Sequence, residues 1–129
     1  MPNLSIEELR AMLPKKPHKR PEEVLQAEII RWYRSRYPQP NPMYYLLVSN
    51  DNNAISAQQG MKAKAQGRVP GVADLTFYKP GGQPILIELK TATGRQSPDQ
   101  KQWQKAVEDA GYRYVVVRSV EEFKKIICE

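Results

Sequence analysis

Thiols and imidazoles are almost missing from this chain. Its 129 residues hold a single cysteine, Cys128, and a single histidine, His18. One cysteine excludes an internal disulfide and a thiolate metal cage. A lone histidine in a proline-punctuated stretch leaves no Ser/His or Cys/His pair for nucleophilic catalysis. Long apolar runs are missing too: the longest, Met43 to Val48, falls far short of the roughly 20 residues that cross a bilayer. The amino terminus carries Glu7 and Glu8 and lacks the apolar stretch of a secretory signal. Acids are in deficit, 14 against 20 lysines and arginines, for a net charge of +6. That excess favours polyanionic partners such as nucleic acid. A chain of this length buries one core and leaves no room for two. The expectation is a single soluble, intracellular domain with no membrane contact and no nucleotide cofactor.

The pattern along the chain alternates helix and strand. Ser5 and Glu8 form a capping box for a first helix that stops near Leu13, before Pro14, with Leu4 and Leu9 as its hydrophobic staple. Pro14 to Pro21 is a basic linker with four cations and no acid, read as a tether or a phosphate-contacting arm. A second helix runs from Pro21 to before Pro38, with Leu25, Ile29, Trp32 and Tyr33 as its core stripe. A strand over Met43–Ser49, a loop over Asn50–Asn53 and a short helix over Ala54–Gln66 stopped by Gly67 follow. Strands over Ala73–Tyr78 and Pro84–Lys90 flank a hairpin turn over Lys79–Gln83. A helix from Ser97 to Ala110, a strand over Tyr112–Arg118 and a final helix opened by a Ser119/Glu122 capping box complete the order. This predicts an α/β fold, a mixed sheet of about four strands flanked by helices. Residues 1–20 would be an N-terminal helix and linker, and residues 21–129 the domain proper.

The chemistry concentrates on the hairpin. Alternation along Pro84–Lys90 puts Ile85, Ile87 and Leu89 on one face and Leu86, Glu88 and Lys90 on the other. In an antiparallel pair the numbers of opposed residues add to a constant. A turn centred on Gly81 gives 162 and sets Asp74 against Glu88. One centred on Gly82 gives 164 and sets it against Lys90. Either register gathers Asp74, Glu88 and Lys90; an odd sum would turn Asp74 to the opposite face. Two facing carboxylates repel unless a cation joins them. Without His or Cys ligands, the pair suits a hard divalent ion such as Mg²⁺ or Mn²⁺. Such an ion polarises a phosphodiester and activates water, and Lys90 stands where it would orient that water or offset developing charge. The bland alternative is two exposed strand residues and a turn acid.

Gly71-Val72-Ala73-Asp74, then Glu88-Leu89-Lys90, then Ser97-Pro98-Asp99-Gln100 with Trp103 resembles the VRR-NUC family. That family lies in the PD-(D/E)XK nuclease superfamily, and the chain is most similar to its small, stand-alone, phage-type members, from about Glu22 to Ile127. The resemblance implies a restriction-endonuclease-like fold. It implies that Asp74, Glu88 and the Leu89 carbonyl bind the metal, that Lys90 is the catalytic lysine and that Gln100 orders the site. It also implies an early-helix acid; Glu22, followed by Gln26 in a Glu-x-x-x-Gln pattern, fits best, with Glu28 as rival. Ala73 departs from the family's usual proline, a position that stiffens the chain but carries no chemistry.

Lys62, Lys64 and Arg68 lie between Asp51 and Asp74 with no acid among them, and would grip phosphates beside the metal. Arg95, Lys101 and Lys105 are weaker candidates, and Asn50 either touches substrate or shapes a turn. No recognition-helix pattern is present, so backbone or shape reading of DNA is expected. The combined expectation is a Mg²⁺- or Mn²⁺-dependent DNA endonuclease, working as a homodimer on branched or junction DNA such as a Holliday junction. A restriction-type, sequence-specific nuclease and a catalytically silent DNA-binding module of the same fold are the alternatives.

Overall fold

The computed structural model describes residues 3–12, 21–50 and 57–129. The linker over residues 14–20, His18 and the Asp51–Asn53 loop lie outside them, as does the start of the expected Ala54 helix. The helices are α1 (Ile6–Met12), α2 (Pro21–Arg36), α3 (Ala57–Ala65), α4 (Pro98–Asp109) and α5 (Val120–Ile127). The strands are β1 (Leu47–Ser49), β2 (Leu75–Tyr78), β3 (Pro84–Leu89) and β4 (Arg113–Val117). They form one mixed sheet in the order β1-β2-β3-β4. β1, β2 and β3 pair antiparallel, while β4 runs parallel to β3. Parallel neighbours need a crossover, which α4 supplies.

One side of the sheet is the core. Leu75, Phe77, Ile85, Ile87, Leu89 and Val117 pack with Ile29 and Tyr33 of α2 and Phe123 of α5. The stripe predicted for α2 faces this cluster, with Leu25 and Trp32 packed at its margin. Rings meet edge-on there, Tyr33 against Phe77 at 6.1 Å and Trp32 against Phe123 at 6.0 Å, an arrangement that satisfies their quadrupoles. α4 lies against β4, where Trp103 tilts onto Tyr114 at 6.0 Å.

Local chemistry moves several element ends from their expected places. Pro42–Leu46 is a 3₁₀ turn rather than the start of a strand, because Asn41 caps it through the Met43 N–H at 2.9 Å and Pro42 presets its first φ. The third helix ends at Ala65, and Gly67 follows at φ +98° as the expected stop. β2 starts at Leu75, not Ala73, and the cause belongs to the site. The Ser5/Glu8 box closes in both directions, at 2.8 and 3.1 Å. The Ser119 box closes only halfway: Ser119 Oγ accepts from the Glu122 N–H, but the Glu122 carboxylate reaches back to Arg118 N.

Candidate active site

The β2–β3 hairpin turns at Gly81, φ +69°, and its register pairs Leu75 with Ile87, a sum of 162. Asp74, one residue before β2, therefore stands opposite Glu88. By the alternation of an antiparallel ladder, the next hydrogen-bonded pair would join Ala73 to Leu89. Side chains intercept it. Asp74 Oδ2 accepts from the Leu89 N–H at 2.8 Å, and Asn50 Nδ2 donates to the Ala73 carbonyl at 2.9 Å. Asn50 also donates to Thr76 Oγ1 at 3.0 Å, and its N–H donates to the Asp74 carbonyl at 2.9 Å. The strand thus opens where the acid must leave it. The Leu89 N–H points toward Asp74, and in a pleated strand its carbonyl points the same way. Asn50 thereby holds the backbone on either side of Asp74.

Glu88 and Lys90 are 1% and 6% exposed, so the surface alternative does not hold for them. Lys90 Nζ lies 3.9 Å from Glu88 Oε1 and 3.6 Å from Glu22 Oε1. Of the two helix acids, Glu22 is the one brought here, from the first turn of α2, while Glu28 is exposed. One turn on, Gln26 donates to Ser49 Oγ at 3.3 Å, tying α2 to β1. Among the described residues no three carboxylates, histidines or cysteines converge as a ready metal cluster, since Lys90 stands between Glu22 and the acid pair.

Gln100 is the third fixed group. Ser97 caps α4 by accepting from the Gln100 N–H at 3.2 Å, and Gln100 Oε1 closes the box on the Ser97 N–H at 2.8 Å. With its oxygen committed, the amide presents Nε2 outward, and Nε2 donates to Glu88 Oε1 at 2.9 Å. Gly71 brings this helix close. At φ +81° its α-carbon abuts the first turn of α4, where a β-carbon would stand 2.3 Å from the Asp99 carbonyl. Past Lys90, Arg118 NH1 donates to the Thr91 and Gly94 carbonyls, both at 2.7 Å, which holds the loop leading to Ser97.

Burial, then the charge and hydrogen bonding of Asp74, push the Glu88 carboxyl up to about 9, with a smaller push from Glu22 and against the pull of Lys90. Its Oε2 is buried with no hydrogen-bond partner. A buried carboxylate oxygen left without a donor is costly, and two acids with a backbone carbonyl aimed alongside form an all-oxygen donor set. The residues present therefore fit a hard divalent cation.

The expected phosphate grips lie on α3 and in the chain just after it. Lys62 and Lys64 are exposed on α3, and Arg68 is half-buried after it. Arg95 and Lys101 are exposed, and Lys105 is paired with Asp109 at 2.6 Å. Sequence reasoning missed Arg118 and Tyr114, whose places depend on the parallel pairing across α4 rather than on any local motif.

A four-stranded mixed sheet, flanked by helices and bearing facing acids and a lysine at one strand end, defines an α/β domain of the PD-(D/E)XK kind. The VRR-NUC domain family matches residues 7–121, and the chain belongs to it, a family of nuclease type. A solved structure described as a VRR_NUC domain protein superposes with a TM-score of 0.68 over 86% of this chain and 88% of that one, at 18% identity, and shares the fold. No curated protein matches the chain. Among the described residues no helix is long and apolar enough to cross a membrane.

Proposed function

We propose that the protein is a Mg²⁺- or Mn²⁺-dependent DNA endonuclease that hydrolyses phosphodiesters with water as the nucleophile. The observation that carries this reading is the buried acid pair, Asp74 opposite Glu88, with an unpartnered Oε2 and Lys90 beside it. Asp74, Glu88 and the Leu89 carbonyl would hold the ion, which when bound supplies Lewis acidity to phosphate and to water. Gln100 keeps the Glu88 carboxylate in place, and Asn50 fixes the backbone that carries Asp74. The Lys90 ammonium orients the attacking water and offsets charge developing on the phosphate. Glu22 pairs with Lys90 from the α2 side and so helps to direct its Nζ into the site.

Lys62, Lys64 and Arg68 would contact the DNA backbone beside this centre, and the substrate is branched or junction DNA read by shape. A small domain with one site reaches two strands most simply as a two-fold dimer, so we assign a homodimer, acting inside the cell, with residues 21–129 as the catalytic domain. The test is cleavage of labelled duplex, single strand, flap and four-way junction with Mg²⁺, Mn²⁺ or EDTA, alongside Glu88→Gln and Lys90→Ala. Metal-dependent cutting of the junction, lost in both variants, is expected. Salt-sensitive DNA binding without cutting under either ion would replace this reading with a binding module.

A further inference from the structure

Besides its core stripe, α2 has a flank that the chemistry described so far does not use. Glu23, Gln26, Ala27, Ile30, Arg31 and Arg34 line an open groove of about 610 Å³ there. Its near end adjoins the active site. Glu22 pairs with Lys90, and Gln26 follows Glu22 by one helical turn and donates to Ser49 Oγ at 3.3 Å. At 1.5 Å per residue, Arg31 and Arg34 stand roughly 14 and 18 Å farther along the axis than Glu22. Both arginines are exposed, and among the described residues neither pairs with an acid. Arg34 lies over the Tyr44 ring at 5.2 Å, which restrains its guanidinium and leaves the N–H donors at its edge for another acceptor. The acid in the groove, Glu23, lies roughly 12 Å along the axis from Arg31. The groove is thus cationic at the end away from the active site, with apolar Ala27 and Ile30 between the two ends.

We propose that this groove carries the backbone of the DNA strand as it leaves the active site, with Arg31 and Arg34 on its phosphates. A strand of B-form DNA rises about 3.4 Å per nucleotide, so the two arginines meet phosphates roughly four and five nucleotides from the cut. Charge favours this occupant. The chain carries +6 overall, and a protein surface laid on the groove would have to desolvate two guanidinium groups that have no acid of their own. Planar arginine forks match phosphate oxygens, and such contacts fix the path of a strand without reading its bases. This path rests on the reading of the chain as a DNA nuclease and adds to it the direction in which substrate extends from Lys90.

Binding of a fluorescent four-way junction and a linear duplex is measured by anisotropy across a salt series in EDTA. The proteins are the wild type, Arg31→Ala, Arg34→Ala, Ala27→Glu and, as control, Arg36→Ala. Arg36 belongs to the same helix but lies over Tyr37 at 5.4 Å and does not line the groove, so its removal is an equal change of charge elsewhere on α2. Arg31→Ala and Arg34→Ala should each lower the slope of log affinity against log salt by about 0.9. Ala27→Glu, which sets a carboxylate between the arginines and keeps a good helix former, should weaken binding severalfold at low salt. Arg36→Ala should change the slope by less than half as much as either groove arginine. An equal fall for Arg36→Ala overturns the proposal by spreading the effect over general charge. Unchanged slopes for Arg31→Ala and Arg34→Ala, with the wild type still salt-sensitive, overturn it directly, and a shift in their sedimentation would then make the groove an interface between copies. Wild-type protein that binds neither DNA removes the nuclease reading itself, and this path with it.

Discussion

Ile85, Ile87 and Leu89 face α2 and α5, whereas Leu86, Glu88 and Lys90 alternate with them on the other side of the same strand. Both sets are largely buried, yet they are held by different physics. On the core face any well-fitting apolar neighbour serves, because burial is favourable in proportion to area and carries no direction. On the opposite face, burying an ion costs several kcal/mol after relaxation, and only specific partners offset it. Glu88 has Gln100 and Lys90, but one oxygen is left over. The core face is complete as folded, while the polar face keeps one buried carboxyl oxygen without a hydrogen-bond partner.

The contrast breaks most sharply under paired substitutions. Glu88→Gln should abolish cleavage, a loss of about 10³-fold or more, by removing a charge that would hold the ion. It should leave the melting temperature equal or raised, since the amide replaces a carboxyl whose ionisation in the buried site is costly. Ile87→Ala, one residue away, should do the reverse. A buried Ile truncated to Ala costs about 2–5 kcal/mol, while the folded fraction should cut DNA at nearly the normal rate. Denaturant melts and cleavage rates on both proteins check this. A Glu88→Gln protein that unfolds like Ile87→Ala would erase the distinction between the faces.

Proton linkage sharpens the same comparison. The Glu88 carboxyl rises from 4.5 to about 9 on folding, so between those values the folded state binds more protons than the unfolded one. The stability it contributes is therefore full below 4.5 and is lost as pH rises toward 9. In EDTA, the wild type should lose stability from pH 5.5 to pH 8.5 relative to Glu88→Gln, which lacks the group. Ion binding must displace that proton, so Mg²⁺ affinity should climb over the same interval. Parallel stability curves for the two proteins would remove Glu88 as the source.

Gly71→Ala tests how far the polar face depends on distance. Its φ of +81° disfavours a side chain, and the added carbon would stand 2.3 Å from the Asp99 carbonyl. Backbone strain of this kind costs about 1–3 kcal/mol, and the first turn of α4 must move, taking Gln100 from Glu88. The expected result is a moderate fall in melting temperature together with a fall in kcat larger than the unfolded fraction explains. The corresponding change at Gly60, inside α3 where a β-carbon meets nothing within 4 Å, should leave kcat unchanged and raise the melting temperature slightly, since alanine is favoured over glycine in a helix interior by about 1 kcal/mol.

What the sequence disclosed follows the range of the forces involved. The hairpin was legible because a glycine turn and a two-residue period act locally, and the observed sum of 162 is one of the two even registers that period and turn permit. Asp74, Glu88 and Lys90 could be grouped for that reason, whereas Gln100 entered only through the resemblance to the VRR-NUC family. Asn50 was harder: its amide replaces a ladder bond between Ala73 and Leu89, which no spacing announces. Tyr114 and Arg118 depend on a parallel register set by how α4 packs. At Pro42–Leu46 the aromatic run Met43-Tyr44-Tyr45 suggested a strand, but a cap at Asn41 outweighed that propensity.

The smallest effect belongs to the exposed cations, which differ from the buried site in having solvent as an alternative. Lys62 and Lys64 stand on α3, outside the network that fixes Lys90. If they contact phosphates, each releases counterions on binding, and removing one should lower the slope of log affinity against log salt by about 0.9. Affinity should fall severalfold at low salt and hardly at high salt, with equal losses on junction and linear duplex, because phosphate contacts carry no sequence or branch information. Cleavage at saturating DNA should be unchanged in Lys62→Ala and Lys64→Ala. Binding measured by anisotropy across a salt series decides it. An unchanged slope would return both residues to ordinary solvated surface, whereas a fall in kcat would place α3 nearer the chemistry than its exposure implies.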